Sequence, residues 1–255
     1  ECGYPKLAIN EILRLSNIKS SEIDEIAVAS EYMHTKNHLE NVNDWYKAPS
    51  SRKAENESAL VDLKRLEDQL NKRQLERRQE ISNHLNLADT KIVFYNHHEC
   101  HAAAAYFGSN YDFDEEILVL TCDGAGDGLC ASISIAHKGK LRKISESSRK
   151  NSPGKIYSRI TYYLGFQPWE HEYKIMGMAP YAEEKYSNEI NQLLKNILTF
   201  DADTLEFKSK NQENMDELYP VFRKILERKR FDAICGGVQM FIEELMTGWV
   251  AAAVK

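Results

Sequence analysis

The chain has 255 residues, of which 42% are hydrophobic and 28% are charged, and its formal net charge is −6. These values are typical of a globular chain with a sizeable core, in one larger domain or two modest ones. The negative charge argues against a dedicated nucleic-acid binder, since such proteins are usually basic. The five cysteines form no C-x-x-C pair. This argues against a four-cysteine zinc site or a disulfide framework and favours a reducing, cytoplasmic location.

Hydrophobic periodicity predicts helices and strands in alternation, which is typical of a mixed α/β fold. The predicted helices are 5–15, 56–87, 99–107, 156–164, 181–198, 222–230 and 237–254. The predicted strands are 23–29, 91–95, 117–122, 131–136 and 141–147, with the last two joined as a hairpin at KGK and residues 200–215 as a loop. The mixed charges of 56–87 indicate a solvated amphipathic helix or helix pair, with a partner-binding coiled coil as the alternative. No run approaches the roughly 18 apolar residues of a membrane span, and no signal-peptide pattern is present.

Three histidines lie within residues 96–105, which read NHHECHAAAA. His97 and His101 are four residues apart, so on a helix they share a face and their imidazoles could converge on one cation. The H-E-x-x-H metalloprotease pattern is excluded, because His98 follows His97 and Glu99 stands one position late. Two histidines do not complete a metal site. Either a carboxylate from elsewhere completes it, or the motif is a helix start without chemistry.

A glycine-rich stretch, LTCDGAGDG, occupies residues 120–128. An apolar strand ends at Asp123, and an Asp at a strand end can ligate a cation or order its water. Glycines permit positive φ and let backbone N–H groups approach an anion. A strand follows, so the pattern is neither a Walker loop nor a dinucleotide fingerprint. It predicts either a phosphate-facing β-turn-β or a plain glycine hairpin.

A third stretch, WEHEYKIMGMAPYA, occupies residues 169–182. Lys174 could bind a phosphate as a point charge. Pro180 is predicted to open the next helix. The alternative is a loop that carries an exposed charge cluster.

In chain order, the motifs H-H-x-x-H-A, D-G-x-G-D, Y-x-x-x-T-Y-Y-L-G-F and K-I-M-G-M-A-P-Y resemble the O-carbamoyltransferases. That family includes tobramycin, cephem and nodulation-factor carbamoyltransferases. The resemblance is strongest over 95–182 and weaker over 3–29. It implies an actin-like ATPase (ribonuclease H-like) fold over 1–255, similar to the tRNA threonylcarbamoyl-transfer protein. Residues 32–88 carry no family motif and are expected to form a helical insertion.

The resemblance also implies the chemistry: ATP-dependent transfer of a carbamoyl group from carbamoyl phosphate, through carbamoyl-adenylate, to the hydroxyl of a small-molecule acceptor. The implied ligands of a divalent metal, expected to be Fe²⁺, are His97, His101 and Asp123, with His98 as a supporting neighbour. ATP is expected to bind with Mg²⁺. The implied cofactor-binding residues are Asp123, Gly124, Gly126 and Gly177. The implied catalytic residues are Lys174 and Asp123. A membrane or nucleic-acid partner is not expected.

The sequence departs from the family pattern at both ends. The family's early Asp with its first phosphate loop, and its later glycine segment, late metal Asp and second domain, have no counterpart here. We therefore expect both ends to be incomplete, weak metal binding and little turnover from this chain alone. Gly236 and Gly237 are expected to precede a helix over 238–245 and not to be the glycine segment. Two alternatives stay open: a tRNA threonylcarbamoyl-transfer relative, which the M-G-M-A-P-Y segment and the negative charge disfavour, and a non-catalytic actin-like binding module.

Overall fold

The computed structural model describes residues 4–31, 63–87, 91–211 and 214–255. The described residues divide into two compact units, one of residues 4–31, 63–87 and 91–100 and one of residues 101–211 and 214–255. Both units are built from helices and strands, so the predicted mixed α/β class is confirmed. Within the described ranges, no helix is both long and apolar enough to cross a membrane.

The described part of the first unit contains two helices and a two-stranded sheet. These elements are α1 (Lys6–Ser16), β1 (Ile26–Ala29), α2 (Leu63–Leu85) and β2 (Ile92–Tyr95). The strands pair in parallel, and Ile81, Leu85 and Ile92 form the centre of a small core beneath them. The sequence predictions for α1 and both strands are therefore confirmed to within a few residues. Of the predicted helical stretch 56–87, the structure describes only α2, and the assignment of 32–88 as an insertion stays a prediction.

Helix α3 (His97–Phe107) carries the histidine motif. It begins two residues before the predicted start, because Asn96 caps it: the Asn96 Oδ1 accepts a hydrogen bond of 3.0 Å from the backbone N–H of His98. The boundary between the two units falls inside this unbroken helix, after Cys100. From Ala102 onward α3 packs on the sheet of the second unit, where Ala102 and Tyr106 form a small core with Val119 and Ala136.

That sheet is an antiparallel meander of β3 (Ile117–Gly126), β4 (Leu129–His137) and β5 (Lys140–Ser148). Its two turns lie at Asp127–Gly128 and Lys138–Gly139, where all four residues have positive φ. Such two-residue turns match the twist of the flanking strands. The predicted hairpin at KGK is therefore confirmed, and β3 extends four residues beyond its predicted end. The strand–turn–strand that both interpretations of the glycine stretch share is also present, and its role in facing a phosphate stays a prediction.

The rest of the second unit is mostly helical. Its elements are α4 (Pro153–Tyr163), α5 (Glu172–Met178), α6 (Glu184–Lys195), β6 (Leu198–Phe200), β7 (Phe207–Ser209), α7 (Tyr219–Ile225) and α8 (Phe231–Ala253). The loop prediction for 200–215 is wrong over β7, which pairs with β6. The predicted helix 181–198 is shorter at both ends. Pro180 lies in a short 3-10 turn, Ala179–Tyr181, and does not open α6.

Helix α8 is buried from Ala233 to Val238 and then along one face as far as Trp249, and it begins earlier than predicted. Gly236 and Gly237 lie inside it and do not precede it, so that expectation is wrong. Both glycines face α6, where a methyl group on Gly237 would meet Ile190 and the carbonyl oxygen of Ser187. They are therefore packing glycines, which let two helices approach closely. Trp249 closes the far end of this core and donates a hydrogen bond of 2.7 Å from its Nε1 to the carbonyl oxygen of Leu205.

Candidate metal centre and the turn beside it

The structure brings His97, His101 and Asp123 together. Each offers one ligand atom, and these atoms lie within 4.8 Å of one another. The His101 Nε2 is 3.5 Å from the Asp123 Oδ2. The two histidines stand one helical turn apart on α3, and Asp123 comes from β3, on which α3 packs. The group therefore has the composition expected from the sequence, two imidazoles and one carboxylate.

An irregularity in the sheet positions Asp123. The ladder between β3 and β4 is regular up to the pair of Cys122 with Ala131, and it shifts register before Gly126 pairs with Leu129. Such bulges bend a strand and re-aim its side chains, and they are common beside active sites. The backbone oxygen of Asp123 also accepts a hydrogen bond of 3.2 Å from the hydroxyl of Ser152. The carboxylate thus lies on backbone held from a second element.

His98 is almost fully buried beside the group. Its ring meets that of His97 edge to face, with 5.5 Å between the centroids. A buried ring in this contact limits how far His97 can turn, which fits the supporting role expected from the sequence.

A cavity of about 250 Å³ adjoins the group, lined by His101, Leu120, Thr121, Cys122 and Asp123. Burial, and then the nearby Asp123 carboxylate, raise the pKa of the Cys122 thiol to about 12. Cys122 keeps accessible surface, yet protein surrounds its sulfur closely enough to disfavour the thiolate. The described lining thus combines the imidazole and carboxylate of the group with a neutral thiol, a hydroxyl and one apolar side chain.

The glycine stretch is used differently from the sequence expectation. Positive φ occurs at Gly128, in the turn, whereas Gly124 and Gly126 lie in the strand. The start of α4 packs directly on Gly124. A methyl group on Gly154 would lie 3.2 Å from the Gly124 Cα and 3.4 Å from the backbone oxygen of Asp123. The roles of Gly124 and Gly126 in nucleotide binding stay predictions.

Lys174 and Gly177 both lie on α5, and neither belongs to the three-residue group that the described chain brings together. The Lys174 Nζ stands 5.6 Å from the ring centroid of Phe166 and 5.8 Å from that of Tyr173. Gly177 is exposed, and a methyl group there would meet no described atom within 4 Å. Their catalytic and cofactor-binding roles stay predictions.

Sequence reasoning did not single out Ser152, Gly154 and Lys155 at the start of α4, where Ser152 and Gly154 contact the bulged end of β3 at Asp123 and Gly124. The hydroxyl of Ser152 accepts from the Lys155 N–H at 3.2 Å and so caps α4. The signal was present in the sequence, since Ser followed by Pro is a pattern of helix starts. Its contact with Asp123 is 29 residues distant along the chain, and no local pattern reveals it.

Comparison with known proteins shows the family to which the chain belongs. A family model described as Carbamoyltransferase N-terminus matches residues 1–249. The chain therefore belongs to the carbamoyltransferase N-terminus family, and the expected family is confirmed.

Three curated relatives are similar over shorter stretches. An uncharacterised protein of Synechocystis is 39% identical over 112 residues, which are 44% of this chain and 17% of the relative. Nodulation protein NolO of Bradyrhizobium diazoefficiens is 35% identical over 88 residues, 34% of this chain and 15% of the relative. Nodulation protein NolNO of Sinorhizobium fredii is 32% identical over 94 residues, which are 37% of this chain and 13% of the relative. The chain thus spans at most 17% of the length of these three relatives in the matched segments.

Proposed function

We propose that this chain is part of an ATP-dependent carbamoyltransferase, which moves a carbamoyl group from carbamoyl phosphate, by way of carbamoyl-adenylate, to an acceptor hydroxyl. The observation that carries the proposal is the convergence of His97, His101 and Asp123 in a chain of the carbamoyltransferase N-terminus family. Membership of the family supports the proposal that the transferred group is a carbamoyl group. The three side chains support a metal-assisted form of the reaction.

The donor set fits a divalent transition metal. Imidazole suits iron, zinc and copper, and two histidines with one carboxylate on one side of the ion are the ligand set of many Fe²⁺ sites. Ligand bonds of about 2.1 Å allow donor atoms to be at most about 4.2 Å apart. Separations of up to 4.8 Å therefore require only small side-chain rotations. When bound, the ion supplies positive charge that polarises an oxygen of the substrate.

The residues of this chain do the positioning. His97 and His101 are fixed by one helix, whose cap at Asn96 sets where it starts. Asp123 offers its carboxylate from the bulged end of β3. The adjoining cavity of about 250 Å³ is large enough for a carbamoyl phosphate beside these side chains. Since a carbamoyl carbon is a weak electrophile, its leaving group and its oxygen both need charge stabilisation, and a preorganised site provides it.

The nucleotide would be held at the bulged end of β3 after Asp123, where Gly124 and Gly126 have no side chains to keep a phosphate away from their backbone N–H groups. Lys174 would contribute a point charge to a phosphate, and Gly177 would border the same substrate. ATP would bind with Mg²⁺. We further propose that the fold is the actin-like (ribonuclease H-like) one, which the antiparallel meander with an Asp at the end of its first strand supports.

Metal and substrate binding test the proposal without requiring turnover. The chain is titrated with Fe²⁺ under anaerobic conditions, and its thermal unfolding is then followed with carbamoyl phosphate or ATP–Mg²⁺. We expect one Fe²⁺ per chain, and a rise in Tm with carbamoyl phosphate that depends on the bound metal, because a ligand of the native state stabilises it. Inorganic phosphate at the same concentration serves as the anion control.

His101→Ala should abolish both the metal binding and the metal-dependent rise in Tm. His84→Gln is the matched control, since His84 lies outside the group, in hydrogen bonds with Tyr4 and Asn10. Equal metal binding by the wild type and His101→Ala would refute the ligand assignment. An equal effect of inorganic phosphate and carbamoyl phosphate would refute recognition of the carbamoyl group.

A further inference from the structure

The segment between α4 and α6 exposes an unusual number of large side chains. Trp169 is 50% exposed, Tyr173 64%, Met176 50% and Tyr181 76%. Tyr173 and Met176 are three residues apart on α5 and so share one face, while Ile175 between them is fully buried. We call residues 166–181 the Trp169 segment. Clustered exposed aromatic and apolar side chains of this kind mark ligand or partner sites.

Trp169 is held in place. Its φ of 68° lies in the left-handed region, which is rare for a bulky residue and is found where the surroundings enforce it, often at functional sites. Its backbone N–H donates to the Glu172 Oε1 at 2.6 Å. The Lys155 ammonium lies 5.4 Å from its ring centroid, and the Lys155 residue is itself 8% exposed. The indole is therefore presented to solvent in a fixed orientation.

The rest of the segment is also ordered by its own contacts. The backbone N–H of Gln167 donates to the His171 Nδ1 at 3.2 Å. The His171 ring then meets Phe166 and Tyr173 edge to face, at 6.2 and 6.4 Å between centroids. Preorganised aromatic rings bind a ligand with little loss of conformational entropy.

The Trp169 segment is linked to the candidate metal centre through α4. Lys155, which lies against Trp169, directly follows Gly154, and Gly154 packs on Gly124 beside Asp123. The start of α4 therefore contacts both Trp169 and the bulged end of β3 at Asp123 and Gly124. An acceptor must lie near the reacting group, and this link gives the segment a location suited to one.

Charge and surface chemistry indicate the class of ligand. Glu170 and Glu172 on the segment are balanced by Lys174 and Lys155, so no strong field of one sign favours a charged ligand. Aromatic faces bind apolar ring faces, while carboxylates and ammonium groups at their edge hydrogen-bond hydroxyls. A neutral pyranose ring offers both kinds of surface.

We propose that the Trp169 segment is the acceptor-binding site and that it takes a neutral sugar ring, stacked on Trp169 with Tyr173 as a second contact. The inference rests on the proposed function, because it assigns the hydroxylated acceptor of that reaction. The oxygen of the sugar hydroxyl would be the nucleophile: it bonds to the carbamoyl carbon as the bond from that carbon to the phosphate oxygen of AMP breaks. AMP leaves, and the hydroxyl proton passes to water.

Saturation-transfer NMR on the whole chain tests the inference, with methyl β-D-glucopyranoside as the probe and mannitol as an acyclic polyol control. We expect transfer to the ring protons of the glucoside and at most weak transfer to mannitol. Trp169→Ala should reduce the transfer at least about fivefold, and Trp169→Phe should restore part of it, because an aromatic ring remains. Tyr111→Ala is the matched control, since Tyr111 is an aromatic residue outside the segment that is 67% exposed, compared with 50% for Trp169 and 64% for Tyr173.

Equal transfer in the wild type and Trp169→Ala would overturn the assignment, and so would equal transfer to glucoside and mannitol. Tighter binding of a cationic aminosugar than of the neutral glucoside would overturn the choice of a neutral acceptor. The two proposals fail separately. If the chain binds the sugar but shows no metal-dependent binding of carbamoyl phosphate, the proposed function is refuted. If it binds carbamoyl phosphate in a metal-dependent way but does not bind the sugar, only the acceptor site is refuted.

Discussion

The close contact between α6 and α8 makes the stability of this chain sensitive to one methyl group at Gly237. A Cβ built there would overlap the Cβ of Ile190 and would lie 2.7 Å from its Cγ2 and from the Ser187 carbonyl oxygen. Cβ contacts under 3.0 Å essentially do not occur in proteins. Two of these neighbours are a backbone oxygen and the branch point of a side chain, so neither can rotate away. Gly237→Ala therefore forces the two helices apart.

Two opposing effects set the magnitude. Replacing glycine by alanine inside a helix stabilises it by about 1 kcal/mol. Overpacking a dense core typically costs about 1–3 kcal/mol and occasionally more. Because two of the three overlaps are with atoms that cannot rotate away, we take the overpacking cost as about 3 kcal/mol, which leaves a net loss of about 2 kcal/mol. For a chain of this size, about 2–4 °C per kcal/mol corresponds to a fall in Tm of about 4–8 °C.

Gly177→Ala is the matched control, because Gly177 also lies in a helix and a methyl group there meets no described atom within 4 Å. It should leave Tm unchanged or raise it by a few degrees. Urea unfolding followed by circular dichroism and by tryptophan fluorescence gives both free energies of unfolding, and an unchanged m-value shows that the substitution changes stability without changing the surface exposed on unfolding. Wild-type stability in Gly237→Ala, or an equal loss in Gly177→Ala, would refute the packing argument.

Three further predictions follow from single contacts. Ser152→Ala should lower the free energy of unfolding by about 1 kcal/mol through loss of the α4 cap, and it should weaken Fe²⁺ binding because the Asp123 backbone loses its hydrogen bond; unchanged Fe²⁺ affinity would separate the cap from the metal centre. Burial raises the pKa of the Cys235 thiol to about 11, so alkylation at pH 8 should be at least about a hundredfold slower in the native chain than in urea, as peptide mapping would show. The Lys208 ammonium, 2.8 Å away, and then two backbone N–H groups hold the pKa of the partly exposed Asp201 carboxyl below its ordinary value. A lowered native pKa gives stability that is present above about pH 4 and lost as the pH falls below it, so Asp201→Asn should flatten the acid side of the stability profile; an unchanged profile would show that this ion pair contributes nothing.

The local sequence determined most elements of the fold. Alternating apolar residues located β4 and β5, and the KGK turn joined them, because a two-residue turn with glycine is dictated by backbone sterics. The errors arose where tertiary contacts override local pattern. The strand β7 lies in a polar stretch that reads as loop and is formed by pairing with β6. Gly236 and Gly237 read as a break before a helix, whereas the packing of α8 on α6 requires them inside it.

The sequence also predicted which two side chains of the candidate site lie together, since the four-residue spacing of His97 and His101 places both imidazoles on one helix face. It could not show that Asp123 completes the group, because that depends on the packing of α3 on β3 and on the bulge after Cys122. Only the tertiary structure shows that Ser152 and Gly154 contact the bulged end of β3 at Asp123 and Gly124. It also shows that Trp169 is exposed beside Lys155. Spacing along a helix is a local property of the backbone, whereas contact between distant segments is decided by what the whole core buries.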